Sequence, residues 1–237
     1  MKWYETAFRK EYLDVYYRRD DDAAAAEAEF ANKALGLPEQ SFVLDVACGG
    51  GRHARALEAL GHKVVGIDLS RDLLAVAAAH TPCARADMRA LPFDGSFDAA
   101  TSFFTSFGYF DDEGNRATLD GIARALRPGG VYLLDFLNAV AVQSHLVPES
   151  EEERDGKVFR ATRRIEDGRV LKDVVIEDEG VRLSYTESVR LYHHHDLVNL
   201  LRDAGMNPVA TYGSFDGRDF TTDAPRCILV AQRAWSG

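Results

Sequence analysis

Three acids and a run of glycines are the residues in this chain with the most chemistry to offer. Asp45 stands four positions before Gly49-Gly50-Gly51, Asp68 follows 17 positions beyond Gly51, and Asp87 precedes Met88. A glycine-rich turn between a strand and a helix lets a ligand approach the backbone closely, because no side chain intervenes. A carboxylate ending the next strand accepts both ribose hydroxyls of an adenosine. One after the third strand accepts from an adenine amino group, with Leu69 or Met88 packing on the ring. The segment Gly49-Gly50-Gly51-Arg52-His53-Ala54 also fits the dinucleotide pattern G-x-G-x-x-A, so the glycines alone leave an NAD-dependent oxidoreductase open. Asp45 points elsewhere. Dinucleotide turns need no acid there, whereas a ligand with a positive ammonium and sulfonium suits an acidic, carbonyl-lined loop.

These residues need strand ends to hold them. Apolar runs and turn residues predict parallel strands at 41–47, 63–67, 83–86, 97–104 and 131–136. Helices are expected between them at 52–60, after Ser70, and at 112–127. An alanine-rich helix at 22–35 ends at Gly36. Before it, Phe8, Tyr12 and Tyr16 lie four apart and predict one helix face. After Asn138 the rhythm changes. Residues 157–191 alternate and are cut by Glu166-Asp167-Gly168 and Glu177-Asp178-Glu179-Gly180, which are hairpin signals. The acid run 149–153 reads as a solvated loop. A helix at 194–204 and strands at 208–213 and 226–233 complete the chain. The expected fold class is α/β: a Rossmann-like, seven-stranded, mostly parallel sheet with helices on both faces and an inserted small antiparallel β cap. The main domain comprises 1–138 and 192–237, with an N-terminal helical lid at 1–36. The insertion, 139–191, serves as a substrate cap or a dimer contact, so a homodimer is one expectation.

The segment Val43-Leu44-Asp45-Val46-Ala47-Cys48-Gly49-Gly50-Gly51 resembles motif I of class I S-adenosylmethionine-dependent methyltransferases, with Ala47 where the usual first glycine stands. Val65-Gly66-Ile67-Asp68-Leu69-Ser70 resembles motif II, and Ala86-Asp87-Met88 and Leu126-Arg127-Pro128-Gly129-Gly130 resemble later motifs. The stretch from Ser102 through Phe103 to Phe110 is similar to amino-sugar and glycine N-methyltransferase-like enzymes. The resemblance implies S-adenosyl-L-methionine as cofactor and S-adenosyl-L-homocysteine as product. It implies that Asp45, Ala47 and Gly49 contact the methionyl part and Asp68 the ribose, with Gly51 also in the cofactor-binding set. Leu69, Met88 and Asp87 would meet the adenine, and Phe103 joins the cofactor-binding set. Tyr12-Leu13-Asp14-Val15-Tyr16 resembles the family's N-terminal lid, which would close Tyr16 and Arg19 over the methionyl carboxylate.

Methyl transfer asks mainly for alignment and electrostatics, and ring faces stabilise a cationic sulfonium. Tyr16, Phe107 and Tyr109 are the candidate rings, and Tyr16 and Tyr109 are also candidate catalytic residues. His145 is the candidate base, after the fifth strand. In His193-His194-His195 adjacent residues do not share a helix face, so no metal site is expected; His194 or His195 caps the following helix instead. Asn138, Tyr109 and Tyr212-Gly213-Ser214-Phe215 are expected to shape the acceptor pocket with the cap.

The net charge of −10 disfavours a nucleic-acid partner, since phosphates are bound by lysine and arginine. No apolar run is long enough to span a membrane. Three unevenly spaced cysteines and the absence of an apolar signal core suggest the cytoplasm. The acceptor is expected to be a small molecule with a nitrogen or oxygen nucleophile. A non-catalytic, cofactor-binding regulatory module is the other reading.

Overall fold

Alternate side chains of the central strands enter different hydrophobic layers, which shows that both faces of their sheet are covered. Val43, Leu133, Ile228 and Val230 pack on one side; Leu44, Val46, Leu134, Phe136 and Leu229 pack on the other. The structure is a computed structural model that describes residues 2–9, 11–16 and 20–235. Its helices and strands run in the order α1 (Trp3–Thr6), α2 (Glu11–Val15), α3 (Asp21–Leu35), β1 (Phe42–Val46), α4 (Arg52–Ala59), β2 (Lys63–Asp68), α5 (Arg71–Ala77), β3 (Cys83–Arg85), β4 (Phe97–Ser102), α6 (Asp112–Ala125) and β5 (Leu126–Leu137). Then come α7 (Ala139–His145), β6 (Glu149–Arg154), β7 (Lys157–Glu166), β8 (Arg169–Asp178), β9 (Val181–Arg190), α8 (His194–Asp203), β10 (Met206–Tyr212) and β11 (Arg226–Arg233).

The seven-stranded sheet has the order β10-β11-β5-β4-β1-β2-β3. Strands β1 to β5 are parallel to one another, and β11 runs antiparallel to both β5 and β10. The chain moves outward from β1 to β3 and then returns to lay β4 beside β1. Such a reversal opens a crevice at the carboxyl ends of the two strands, where open α/β sheets bind ligands. One face is covered by α3 and α4, through Ala28, Ala31, Ala54 and Leu57, and the other by α6 and α8, through Leu119, Ile122, Leu197 and Leu201. The expected α/β architecture is therefore present.

Several local expectations are corrected. The acid run is no loop: it forms β6, an edge strand paired with β7, and charge is what an exposed edge tolerates best. Residues 139–145, the start of the expected β insertion, are helical and form α7, which Asn138 caps by accepting from Val140 N. The aromatic stretch at 4–16 makes two short helices, α1 and α2, with Phe8 outside both. Helix α3, within the expected lid at 1–36, packs Ala28, Phe30, Ala31 and Leu35 into the core. At α8 the N-cap is His193, in a reciprocal capping box with Asp196, not His194 or His195.

The turn Ala47–Gly51 lies tightly on β2. Cys48 N donates to Ile67 O at 2.9 Å. A Cβ on Gly66 would stand 2.7 Å from Cys48 Sγ, closer than side chains tolerate. Gly66→Ala is therefore expected to displace the turn and cost about 1–3 kcal/mol of unfolding free energy. Urea denaturation measures this; a loss under about 0.5 kcal/mol would show that the turn yields freely.

Candidate active site

A cavity of about 350 Å³ opens at the β1–β4 reversal. Its lining includes Tyr16, Asp45, Ala47, Gly49, Asp68, Leu69, Asp87, Met88, Phe103 and Tyr109, so ten of the sequence-predicted residues come together there. Ala47, Gly49 and Gly51 have φ values of 59°, 56° and 77°. Left-handed backbone explains why the family pattern favours glycine at the place Ala47 occupies. Asp68 holds this turn: Oδ2 accepts from Gly49 N at 2.9 Å and Oδ1 from Ser70 N at 2.8 Å. Burial raises the Asp68 carboxyl above its ordinary value, while those amides oppose the shift.

Asp45 is 2% exposed. Its Oδ1 accepts from Thr101 Oγ1 at 3.2 Å, and its Oδ2 has no hydrogen-bond partner among the described residues. Burial pushes this carboxyl up to about 7; the Thr101 hydrogen bond works against the shift, and the charge of Asp68 adds to it. Asp87 behaves oppositely. Arg89 donates to both of its oxygens, with Nη2 at 2.5 Å from Oδ2, and this holds the carboxyl below its usual range.

The other wall is aromatic. Phe8 stacks on Tyr109 at 5.5 Å and meets Tyr12 edge-on at 5.0 Å, and Tyr12 lies 4.6 Å from Tyr16. The ladder read from the spacing of 8, 12 and 16 thus exists, although one helix does not carry it. The Tyr16 hydroxyl donates to Glu187 at 2.7–2.8 Å and accepts from Lys172 Nζ at 2.6 Å. Both partners lie on the cap face that packs against α2, beside a small core of Phe159, Val174 and Ile176 with Val15. Arg169 ties the cap to the loop after β4, donating to the carbonyls of Gly108, Tyr109 and Phe110 at 3.0–3.1 Å.

Sequence reasoning missed His53, Arg52 and Phe104, all of which line the cavity. The His53 ring stacks on Phe103 with centroids 3.9 Å apart, and Nε2 meets Glu27 Oε2 at 2.5 Å. Burial lowers the His53 pKa, so the ring is neutral at pH 7 despite its carboxylate partner. Burial alone would raise Glu27, but the bond to His53 and the nearby charges bring it below its ordinary value. The pair is therefore a neutral imidazole on an ionised carboxylate. The signal was faint because Glu27 and His53 are 26 positions apart on two helices that only packing brings together.

Some predicted residues lie elsewhere. His145 is exposed at the last turn of α7 and does not line the cavity, so its position gives no support for a role as base. Gly51 does not line the cavity either; a Cβ there would meet Ala77 Cβ at 3.0 Å, so the residue admits α5 beside the turn. Phe107 is buried against Phe136 and Tyr192. Asn138 donates to three carbonyls of the 221–224 loop, and Tyr212 and Phe215 pack on Phe30. Arg19 lies outside the described residues.

The geometry agrees with what the chain resembles. A family profile described as a methyltransferase domain matches residues 43–130. The dTDP-3-amino-3,4,6-trideoxy-alpha-D-glucopyranose N,N-dimethyltransferase of Streptomyces venezuelae is 29% identical over 94% of this chain and 99% of its own. The sugar N-methyltransferase KedS8 from Streptoalloteichus superposes with a TM-score of 0.75 at 25% identity, covering 93% of this chain and 92% of its own. The CcbJ methyltransferase of Streptomyces caelestis superposes with a TM-score of 0.82 at 21% identity, covering 98% of this chain and 99% of its own. This chain is a class I S-adenosylmethionine-dependent methyltransferase.

The cavity fits that cofactor. The orphaned Asp45 oxygen is an acceptor of the kind an ammonium needs, and Asp68 and the turn residues Ala47 to Gly50 line the same cavity. Between about pH 4 and 7 the folded chain keeps a proton on Asp45 that the unfolded chain has released, so stability falls as pH rises through that window. An ammonium ligand needs the ionised form. Affinity for S-adenosylhomocysteine should therefore tighten by up to about tenfold per pH unit below 7 and level off above it, with proton release. Asp45→Asn should flatten the curve. Calorimetry in buffers of different ionisation enthalpy reads both effects, and pH-independent binding by the native chain would contradict the assignment.

Proposed function

We propose that this enzyme methylates the amino nitrogen of a small polar acceptor such as an amino sugar. One observation carries the reading: a single cavity joins the acidic cofactor wall of Asp45, Asp68 and Asp87 to an aromatic wall of Phe8, Tyr12, Tyr16, Phe104 and Tyr109. Relatives support the nitrogen. They include the dTDP-amino-sugar dimethyltransferase above and, at 25% identity over 96% of this chain, a glycine/sarcosine N-methyltransferase of Halorhodospira halochloris. When bound, S-adenosylmethionine supplies a methyl group activated by its sulfonium.

The chain's own residues do the rest. Asp45 holds the ammonium, Asp68 the ribose hydroxyls and Asp87 the adenine amino group, with Leu69 and Met88 on the ring faces. Phe104, Tyr16 and Tyr109 exclude water and offer ring faces to positive charge. An amine needs only to arrive neutral, and Tyr16, hydrogen-bonded to Glu187, gives the departing proton a route toward the cap.

The cap is read as backing the acceptor wall in preference to a dimer contact: none of its described residues lines the cavity, but Lys172 and Glu187 hold Tyr16, which does. Its inner face meets α2. Its outer face carries the ion pairs of Arg160 with Glu151 and Glu177 and of Arg164 with Asp173, which a dry interface would have to desolvate. A net charge of −10 favours a small acceptor over a nucleic acid. Among the described residues no helix is long and apolar enough to cross a membrane, and Cys48, Cys83 and Cys227 are free thiols, which suits a reducing cytoplasm.

The test is transfer of labelled methyl groups to a panel of amino sugars, amino acids, simple amines and phenols. Label on an amine nitrogen is expected, with turnover lowered by Tyr16→Phe. Tight S-adenosylhomocysteine binding with label on phenols alone would overturn the nitrogen assignment.

A further inference from the structure

Arg52 opens α4 directly after the glycine turn, and its side chain lines the cavity. Its Nη2 lies 3.5 Å from Glu27 Oε2. Its Nη1 is buried and has no hydrogen-bond partner among the described residues. A guanidinium is a donor only, so a buried arm without an acceptor is costly unless a ligand supplies one. Arg55, one turn further along the same wall, makes the contrast. Its Nη1 donates to Gly50 O at 3.0 Å and its Nη2 to Asp21 Oδ1 at 2.6 Å, so both of these arms already have acceptors within the chain.

Two more features act in the same direction. The N-terminus of α4 begins at Gly51, which offers no capping side chain, so its first amides present partial positive charge. In the same cavity Asp45 Oδ2 is also unmatched. Among the described residues the cavity therefore carries one carboxylate oxygen without a donor and one guanidinium arm without an acceptor. The ligand group that matches both is an α-amino acid, with ammonium and carboxylate on one carbon.

We propose that Arg52 binds the α-carboxylate of the bound cofactor while Asp45 binds its ammonium, with Glu27 holding the guanidinium in place from α3. The inference rests on the methyltransferase reading. It moves the carboxylate anchor from the N-terminal segment, where the sequence suggested Tyr16 and Arg19, to the rigid start of α4. Tyr16 then serves the acceptor side, where its hydroxyl joins Glu187 and Lys172 of the cap.

The test compares S-adenosylhomocysteine with its decarboxylated analogue, which keeps the amine and the thioether. Affinities are measured by calorimetry for the native chain and for Arg52→Gln, Arg52→Lys and Arg19→Gln. The native chain is expected to prefer the carboxylate-bearing ligand by roughly 10- to 100-fold, the range of a charge-assisted bond. Arg52→Gln should abolish that preference while binding the analogue within about threefold of native, and Arg52→Lys should keep part of it. A preference unchanged in Arg52→Gln overturns the proposal, whether or not Arg19→Gln removes it. If Arg52→Gln fails to fold, as judged by thermal unfolding, the lysine variant decides, and full preference there overturns the proposal. Failure of the native chain to bind either ligand would instead sink the methyltransferase reading beneath it.

Discussion

One carboxylate fixes the geometry on which the site depends. Asp68 ends β2 and accepts from the amides of Gly49 and Ser70, so one side chain joins the glycine turn to the cap of α5. Hydrogen bonds to a charged group contribute about 1.5–3 kcal/mol each, enough to hold a five-residue turn that winds through left-handed backbone at Ala47, Gly49 and Gly51. With the turn held, Asp45 stays at the base of the cavity, and the amides that open α4 stay beside it. Burial of Asp45 is the consequence, and that burial, with the charge of Asp68, pushes its carboxyl up to about 7.

The aromatic wall and its backing are assembled differently, from three segments far apart in sequence. The N-terminal stretch brings Phe8, Tyr12 and Tyr16; the loop after β4 brings Phe104 and Tyr109; the cap brings Lys172 and Glu187. Phe104 and Thr105 have φ values of 65° and 58°, unusual for side chains of this size. Buried Asp135 holds them there, accepting from Phe104 N at 2.6 Å and from Arg226 Nε at 2.7 Å. Strain of this kind, of order 1–3 kcal/mol per residue, persists where neighbours over-determine the backbone.

The contrast explains what could be read from the sequence. Asp45, Asp68 and Asp87 sit at strand ends, and strand ends are marked locally by apolar runs and turn residues, so position along the chain predicted position in space. The same rule gave the parallel sheet and the hairpins at 166–168 and 177–180. It failed where pairing decides. The acids at 149–153 look like loop until β7 supplies a partner. His53 looks like an ordinary helix residue until α3 sets Glu27 against it. Tyr16 and Glu187 stand 171 positions apart, a separation over which no local pattern acts. His145 drew notice by residue type alone, and type without a neighbouring wall carried it to the exposed end of α7.

Arg169 has a bearing on how ligands come and go. Its guanidinium serves three consecutive carbonyls, at Gly108, Tyr109 and Phe110, in addition to Ser188 on its own sheet. Swinging the four-stranded sheet outward would strip all three of their charged donor at once, so the sheet and the loop beneath it move as one piece or not at all. The opposite wall is tied to the sheet by scattered side chains: Arg154 donates to Asp14 O, Lys157 Nζ to Asp14 Oδ2, and Tyr16 to Glu187. Helices α1 and α2 have four and five residues, well below the length at which a helix persists without tertiary support. Opening the cavity on that side means breaking the bonds of Asp14 and Tyr16 to a sheet that stays with its loop.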